Sequence, residues 1–374
     1  MRYYIIAGEA SGDLHGSNLI KELHKLDNTA AIRCWGGDKM EAAGATVVKH
    51  YRDLAFMGFI EVLKNLRTIL RNIDLCKKDI EAYRPDVLIL IDYPGFNLRI
   101  AKWARQQGLK VVYYISPQVW AWKENRVKGI KENVDKMLVI LPFEKDFYKK
   151  WQYDVEYVGH PLVEVIDTFT ATAHDAIPIP AGRSGIVALL PGSRKQEILK
   201  KLPIMLEVAK HFPALQFIVG KAPGLDEDFY NELLAPYTNV SWVVNKTYDL
   251  LSQSKAALVT SGTATLETAL FAVPEVICYK GNAVSYQIAR RLIKIKFIGL
   301  VNLIMDKEVV KELIQDDLTV ENLTKELTLL LNDEKKQQQL ATDYTALKKL
   351  LSEGGHASAN AAKSIYNFLT SLPQ

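Results

Sequence analysis

V-L-I-L-I-D-Y-P-G-F-N, residues Val87–Asn97, decides the fold. Val87–Ile91 is an unbroken apolar run of strand length, the pattern of a strand buried on both faces of a parallel sheet. Asp92 follows at its carboxyl end, Pro94-Gly95 turns the chain sharply, and a helix begins. Working outward, the same apolar-run, turn, helix grammar repeats on both sides. Toward the N-terminus the strand candidates are Tyr3–Ala7, Ala31–Trp35 and Ala45–Val48, and toward the C-terminus Lys110–Ile115, Lys136–Leu141 and Val155–Val158. A second series follows at Gly185–Leu190, Gln216–Gly220, Val240–Val244, Ala256–Thr260 and Val276–Tyr279. Helical stretches between strands predict right-handed βαβ crossovers.

The small, polar, Pro-rich stretch Ala171–Ser184 separates the two series, and the tail from about Leu318 carries only helical pattern. The expectation is two doubly wound, Rossmann-like α/β domains facing a cleft, residues 1–170 and 185–317, with a helical C-terminal segment, 318–374, packing on or across them. Chemistry then belongs in the loops after strands, at the crevices of the sheets.

Composition excludes several classes. Among 374 residues, 48% are hydrophobic and 24% charged, the balance of a globular protein rather than a disordered or collagen-like one. The net charge of +4 is too small to argue for nucleic acid, though it suits an anionic substrate or acidic lipid. Cys34, Cys76 and Cys278 form no C-x-x-C, so neither a zinc site nor a disulfide framework is expected, and the cytoplasm is the natural compartment. No apolar stretch reaches bilayer-spanning length, so any lipid-facing role is expected to be peripheral.

Four loops carry candidate chemistry. Gly8–Gly16, G-E-A-S-G-D-L-H-G, follows the first strand and opens a helix. Its glycine spacing is not a dinucleotide fingerprint; it either approaches a ligand closely or is a tight turn in which Ser11 or Asp13 caps the helix. Asp92 is placed to act as a general base for a sugar hydroxyl, the alternative being a cap or a bond to the Asn97 turn. Leu189–Ile198, L-L-P-G-S-R-K-Q-E-I, sets Ser193 and Arg194 at a helix start as a diphosphate clamp; otherwise Arg194 is a surface residue beside an ordinary cap. In Thr260–Thr268, Ser261, Gly262 and Thr263 offer donors for a phosphate, and Glu267 stands one helical turn on, able to accept from ribose hydroxyls unless it is simply solvated.

Weaker signals surround them. Phe56–Arg71 puts Phe59, Ile60, Leu63, Leu66 and Leu70 on one stripe edged by Lys64, Arg67 and Arg71. That is a core stripe or a membrane-interface helix. Trp120 and Trp122 either line the cleft or pack, and His160 reads as structural. No metal-ligand spacing stands out, so neither a metal nor another cofactor is expected.

Read in order, G-E-A-S-G-D, M-G-F-I-E-V-L, I-D-Y-P-G-F-N, S-P-Q-V-W-A-W, L-P-F-E-K-x-F-Y, V-G-H-P, L-L-P-G-S-R-x-x-E-I and S-G-T-A-T-L-E resemble bacterial lipid-A-disaccharide synthases, family 19 glycosyltransferases of the GT-B class, from about Arg2 to beyond Leu313. The resemblance implies an inverting transfer from UDP-2,3-diacylglucosamine to 2,3-diacylglucosamine 1-phosphate (lipid X), giving a β-1,6 disaccharide 1-phosphate and UDP in lipid A biosynthesis. It implies Asp92 as base and Ser193, Arg194, Ser261, Gly262, Thr263, Glu267 and Asn302 around UDP, with Glu9 and Ser11 on the acceptor side. It turns the amphipathic stretch, Phe56, Met57, Phe59, Ile60, Leu63 and Leu66, into an expected acyl and bilayer contact at the inner face of the inner membrane. A homodimer through the C-terminal segment is compatible with it. Two positions depart from the family pattern: Gly95 stands where a second aspartate is common, and Val301 where a proline precedes the asparagine. Other two-domain UDP-sugar enzymes, a GlcNAc transferase or 2-epimerase, or a non-catalytic UDP-sugar-binding protein, are the alternatives.

Overall fold

Apolar side chains at every position of a strand need cover on both sheet faces, and the computed structural model supplies it. It describes residues 1–54, 66–122, 124–222, 224–282, 286 and 296–371. The chain divides into two units, residues 1–161 with 351–374, and residues 162–350.

The first unit is built on a seven-stranded sheet: β1 (Arg2–Ala7), β2 (Ala31–Gly36), β3 (Thr46–His50), β4 (Val87–Ile91), β5 (Val111–Tyr114), β6 (Lys136–Val139) and β7 (Glu156–Tyr157). All pairings are parallel, in the order β3-β2-β1-β4-β5-β6-β7. The strands split their side chains by alternation. Tyr4, Ile6, Leu88, Leu90 and Tyr113 enter the core on one face, and Tyr3, Ile5, Val87, Ile89, Ile91 and Tyr114 on the other.

The second unit holds β8 (Ile186–Leu190), β9 (Gln216–Lys221), β10 (Val240–Val244), β11 (Ser254–Thr260), β12 (Glu275–Tyr279) and β13 (Lys311–Ile314), parallel in the order β10-β9-β8-β11-β12-β13. β13 escapes the sequence reading. K-E-L-I is a short edge strand in which only Leu313 is buried, so it lacks the apolar run that marks its neighbours.

In each sheet the strand order reverses at one place, between β1 and β4 and between β8 and β11. At such a switch point the loops leave in opposite directions and open a crevice at the carboxyl ends of the strands. Gly8 and Asp92 leave the first reversal, and Pro191 and Ser261 the second.

The unit boundaries differ from the expected ones at two helices. The Pro161–Thr170 helix falls almost wholly in the second unit's range. The helical tail is divided. Val320–Asn332 and most of Glu334–Ser352 belong to the second unit, while Ala357–Thr370 packs on the Ala10–Leu26 helix and sends Ala361, Ala362 and Ile365 into the first core. Three glycines permit this return: a Cβ on Gly354 would overlap the Gly159 backbone, and one on Gly159 would sit 2.8 Å from the Gly355 carbonyl oxygen.

Candidate functional site

At the first switch point the register pairs Ala7 with Ile91, so Gly8 and Asp92 emerge side by side. Asp92 and Tyr93 are both left-handed, with φ of 43° and 50°. That conformation is costly for non-glycine residues and persists only when neighbours hold it. Here Asn97 Nδ2 donates to the carbonyl oxygens of Asp92 (2.7 Å) and Ile91 (3.2 Å), and the Tyr113 hydroxyl donates to the Asp92 carbonyl at 2.5 Å. Gly8 is required because any Cβ there would overlap the Tyr93 ring.

Asn97 thus grips the backbone of Asp92, and Tyr93, not Asp92, occupies the N-cap of the Pro94–Gln106 helix. The two structural alternatives for Asp92 therefore do not describe its carboxylate. Burial first, and the nearby Glu9 carboxylate second, push Asp92 up from 3.8 to about 6, against the opposing hydrogen bond from the Tyr93 N–H. Glu9 is half-buried at the start of the Ala10–Leu26 helix and makes no side-chain cap there, and Ser11 is exposed. Gly95 is exposed with open space around the place of a side chain.

Asp13 works differently from either sequence reading. Its buried carboxylate accepts from the backbone N–H groups of Gly37 (2.8 Å), Met40 (3.1 Å) and Lys39 (3.2 Å). It caps the Asp38–Ala42 helix, which follows β2, and not its own helix. His15 and His160 are buried, pushed down to about 4 and about 3 respectively, chiefly by burial. Both are neutral at physiological pH, in keeping with a structural His160.

The loops after β5 and β6 pack on one another. Ser116 Oγ shares a 2.7 Å hydrogen bond with the Tyr148 hydroxyl, and buried Trp120 meets Phe143 edge-on with ring centroids 5.0 Å apart. Glu144, the glutamate of L-P-F-E-K-x-F-Y to which the sequence reading gave no role, lies buried at the start of the Glu144–Lys149 helix and accepts from the N–H groups of Leu141 (3.0 Å) and Ile140 (3.3 Å). A glutamate just after L-P-F, turned back on the preceding backbone like half of a capping box, was the available signal. The side chain of Trp122 and residues 56–63 lie outside the described residues, and Leu66 is described only as the first residue of the Leu66–Tyr83 helix.

At the second switch point a cavity of about 360 Å³ is lined by Ser193, Glu197, Ser261, Gly262, Thr263 and Glu267, among others. Two helices, Lys195–Ala209 and Thr263–Leu270, begin beside it with no side-chain cap on either N-terminus. Their first N–H groups and partial positive charges favour an anion. Gly192 and Gly262 make the turns with φ of 111° and 152°, where side chains are rarely tolerated. Arg194 is the N-cap residue of the first helix; its exposed guanidinium lies 3.3 Å from Glu197 Oε1.

Glu267 is no solvated helix glutamate. It lines the cavity, accepts from the Tyr248 hydroxyl at 2.8 Å, and is raised by burial. The Ser261 hydroxyl donates to the Ile298 carbonyl at 3.1 Å. Its one proton is thereby used, which leaves its oxygen as an acceptor, and the lining offers a phosphate the backbone N–H groups of the two turns together with the Ser193 and Thr263 hydroxyls.

Asn302 does not reach the cavity. It is fully buried and spends its whole amide on protein: Nδ2 donates to Val310 O (2.8 Å) and Glu312 Oε1 (2.9 Å), and Oδ1 accepts from the N–H groups of Val309 (2.8 Å) and Val310 (3.0 Å). With no hydrogen-bonding capacity left, it is corrected from a nucleotide contact to a scaffold residue. Val301 beside it is buried in the first turn of the Leu300–Met305 helix, a position that proline also accepts. Two lysines were missed. Lys201 is buried with its ammonium on Thr260 Oγ1, and Lys221 lines the cavity, 4.9 Å from the Trp242 ring centroid. Neither stands out from neighbouring lysines in the sequence.

A profile of the family described as lipid-A-disaccharide synthetase matches residues 3–366. The chain belongs to that family. It is 41% identical over 361 residues to the lipid-A-disaccharide synthase of Geobacter metallireducens, covering 95% of this chain and 94% of the relative. Solved structures agree on the fold. A UDP-GlcNAc 2-epimerase from Neisseria meningitidis bound to UDP-GlcNAc superposes with a TM-score of 0.66 at 15% identity, and the calicheamicin glycosyltransferase CalG4 with 0.64 at 16%, each covering 100% of both chains. These are GT-B folds, as the two doubly wound sheets require.

Proposed function

We propose that this chain, a glycosyltransferase of lipid A disaccharide synthesis, transfers the sugar of UDP-2,3-diacylglucosamine to the 6-hydroxyl of 2,3-diacylglucosamine 1-phosphate. The Asp92 carboxylate takes the hydroxyl proton as that oxygen attacks the anomeric carbon. The bond from that carbon to the diphosphate oxygen breaks with inversion, and its electron pair leaves with UDP.

The observation that carries this reading is Asp92 itself. It sits at a switch point in a held, left-handed turn, and burial lifts it to about 6, so it is ionised at neutral pH yet basic enough to accept a proton. Glu9 and Ser11 stand on the acceptor side. A second cavity, about 370 Å³, runs beside the same turn and is lined by Gly95, Leu98, Arg99, Arg126 and Ile130, among others. Its lining mixes apolar side chains such as Leu98 and Ile130 with the cations Arg99, Lys102 and Arg126, a combination that suits an acylated sugar phosphate.

For the donor, Arg194, Ser193 and the two helix N-termini stabilise the charge that grows on the departing diphosphate, without a divalent ion. Glu267 accepts from the ribose hydroxyls. No helix among the described residues is long and apolar enough to cross a membrane. The stretch containing Phe56, Met57, Phe59, Ile60, Leu63 and Leu66 is assigned to a peripheral contact with the inner-membrane face, in keeping with two substrates that both carry acyl chains. A homodimer through the C-terminal segment is compatible with the Ala357–Thr370 helix, which packs on the Ala10–Leu26 helix of its own chain.

The test is incubation with both substrates in EDTA, followed by mass spectrometry. The disaccharide 1-phosphate and UDP should appear in equal amounts. Hydrolysis of the donor without disaccharide, or transfer only after metal is restored, would refute the scheme.

A further inference from the structure

Glu312 has no part in the sequence reading, yet its carboxylate is tied through the 298–299 backbone to Ser261 in the wall of the nucleotide cavity. It stands on edge strand β13, in register with Ile277 of β12. Its Oε1 accepts from the Gly299 N–H (2.9 Å) and from Asn302 Nδ2 (2.9 Å), and its Oε2 from the Ile298 N–H (3.0 Å). Ile298 and Gly299 directly precede the Leu300–Met305 helix, whose N-cap, Gly299, has no side chain to serve it. Glu312 caps that helix from another element.

The consequence reaches the cavity through one further bond. The carbonyl of Ile298 receives the Ser261 hydroxyl, and Ser261 lines the cavity beside Gly262 and Thr263. The same helix also packs on Thr263–Leu270, the helix that carries Glu267. Asn302 closes the back of the arrangement by clamping Val309 and Val310 just ahead of β13, which fixes the strand from which Glu312 projects.

We propose that Glu312 is a positioning residue for the nucleotide: it holds the 298–299 backbone so that the Ser261 proton stays on the Ile298 carbonyl and the Ser261 oxygen is left to accept from a hydroxyl of the nucleotide's ribose, and Asn302 acts through it. The proposal rests on the reading of this cavity as the UDP site. A glutamate is needed because a carboxylate accepts from three donors at once; a glutamine has one acceptor oxygen and would turn an N–H group toward a donor.

The experiment is a double-mutant cycle on UDP affinity, measured by calorimetry on the full chain with Glu312→Gln, Ser261→Ala and the pair. Thermal unfolding is recorded for each variant. Arg194→Ala serves as the control for the site itself. Each single substitution should weaken UDP binding roughly three- to tenfold, the worth of about one hydrogen bond. The pair should lie within about twofold of the weaker single variant, because both break the same connection. The Glu312→Gln loss should persist at temperatures well below its unfolding transition, which a merely structural role would not require.

Unchanged affinity in Glu312→Gln, or losses that multiply in the pair, would overturn the proposal while a weakened Arg194→Ala kept the UDP site. Unchanged affinity in Arg194→Ala as well would instead remove the site reading. Should Glu312→Gln fail to fold, Glu312→Asp, which keeps the charge and shortens the reach, enters the same cycle under the same criterion.

Discussion

If Asp92 is the base, transfer must follow its ionisation. With the carboxyl at about 6, about one molecule in eleven is ionised at pH 5 and about ten in eleven at pH 7, so kcat/KM should fall about tenfold between those values. An aspartate near its ordinary 3.8 would remain more than about nine-tenths ionised at pH 5 and give a flat profile there. The assay is initial transfer rate on detergent-dispersed substrates from pH 4.5 to 8, with UDP affinity followed in parallel. Glu9→Gln sharpens the test. Glu9 is the second cause of the elevation and burial the first, so removing its charge should move the acid limb down from about 6 while leaving it above 3.8. A profile flat between pH 5 and 7, or an acid limb that Glu9→Gln leaves in place or moves upward, would refute the assignment.

Three further outcomes follow from the same geometry. A group raised in the folded state stabilises the fold below its unfolded value and loses that contribution as pH rises through the folded one. Asp92→Asn should therefore be more stable than the parent at pH 7.5, by about 1–3 kcal/mol, and equal to it near pH 3.5; thermal melts at the two pH values check this. Asp13→Ala removes the acceptor for three backbone N–H groups and should cost about 1–3 kcal/mol, read from urea unfolding. Gly8→Ala drives a methyl into the Tyr93 ring; kcat should fall more than about tenfold with UDP affinity unchanged, and a normal kcat would show that the turn tolerates the displacement.

Much of the fold was legible because parallel strands announce themselves. Val87–Ile91 and Ile186–Leu190 are buried at every position, and each ends in a Gly- or Pro-containing turn that marks the carboxyl edge. Those turns fall at the two reversals of strand order, so the loops carrying Asp92, Ser193, Ser261 and Glu267 were found before their neighbours were. What stayed hidden is non-local. Asp13 caps a helix that begins 25 residues later, and nothing near it in the chain names that partner. Asn302 was placed at UDP by the resemblance alone, and the three residues that take its four hydrogen bonds, Val309, Val310 and Glu312, lie on β13 and in the loop before it, where nothing in the sequence pairs them with it. β13 carries too little apolar character to be seen, and Glu312 was lost with it. The tail's helices were evident from their period, but the return of Ala357–Thr370 to the first unit depends on Gly159, Gly354 and Gly355 meeting backbone to backbone.

The division of labour between the two sheets is tested most directly by Asp92→Asn, with transfer and UDP binding measured on the same preparation. Loss of a positioned general base should lower turnover by about 10²–10⁴, while the dissociation constant for UDP stays within about twofold of the parent, because the nucleotide cavity belongs to the other unit. Retained turnover, or UDP affinity that collapses together with turnover, would contradict it.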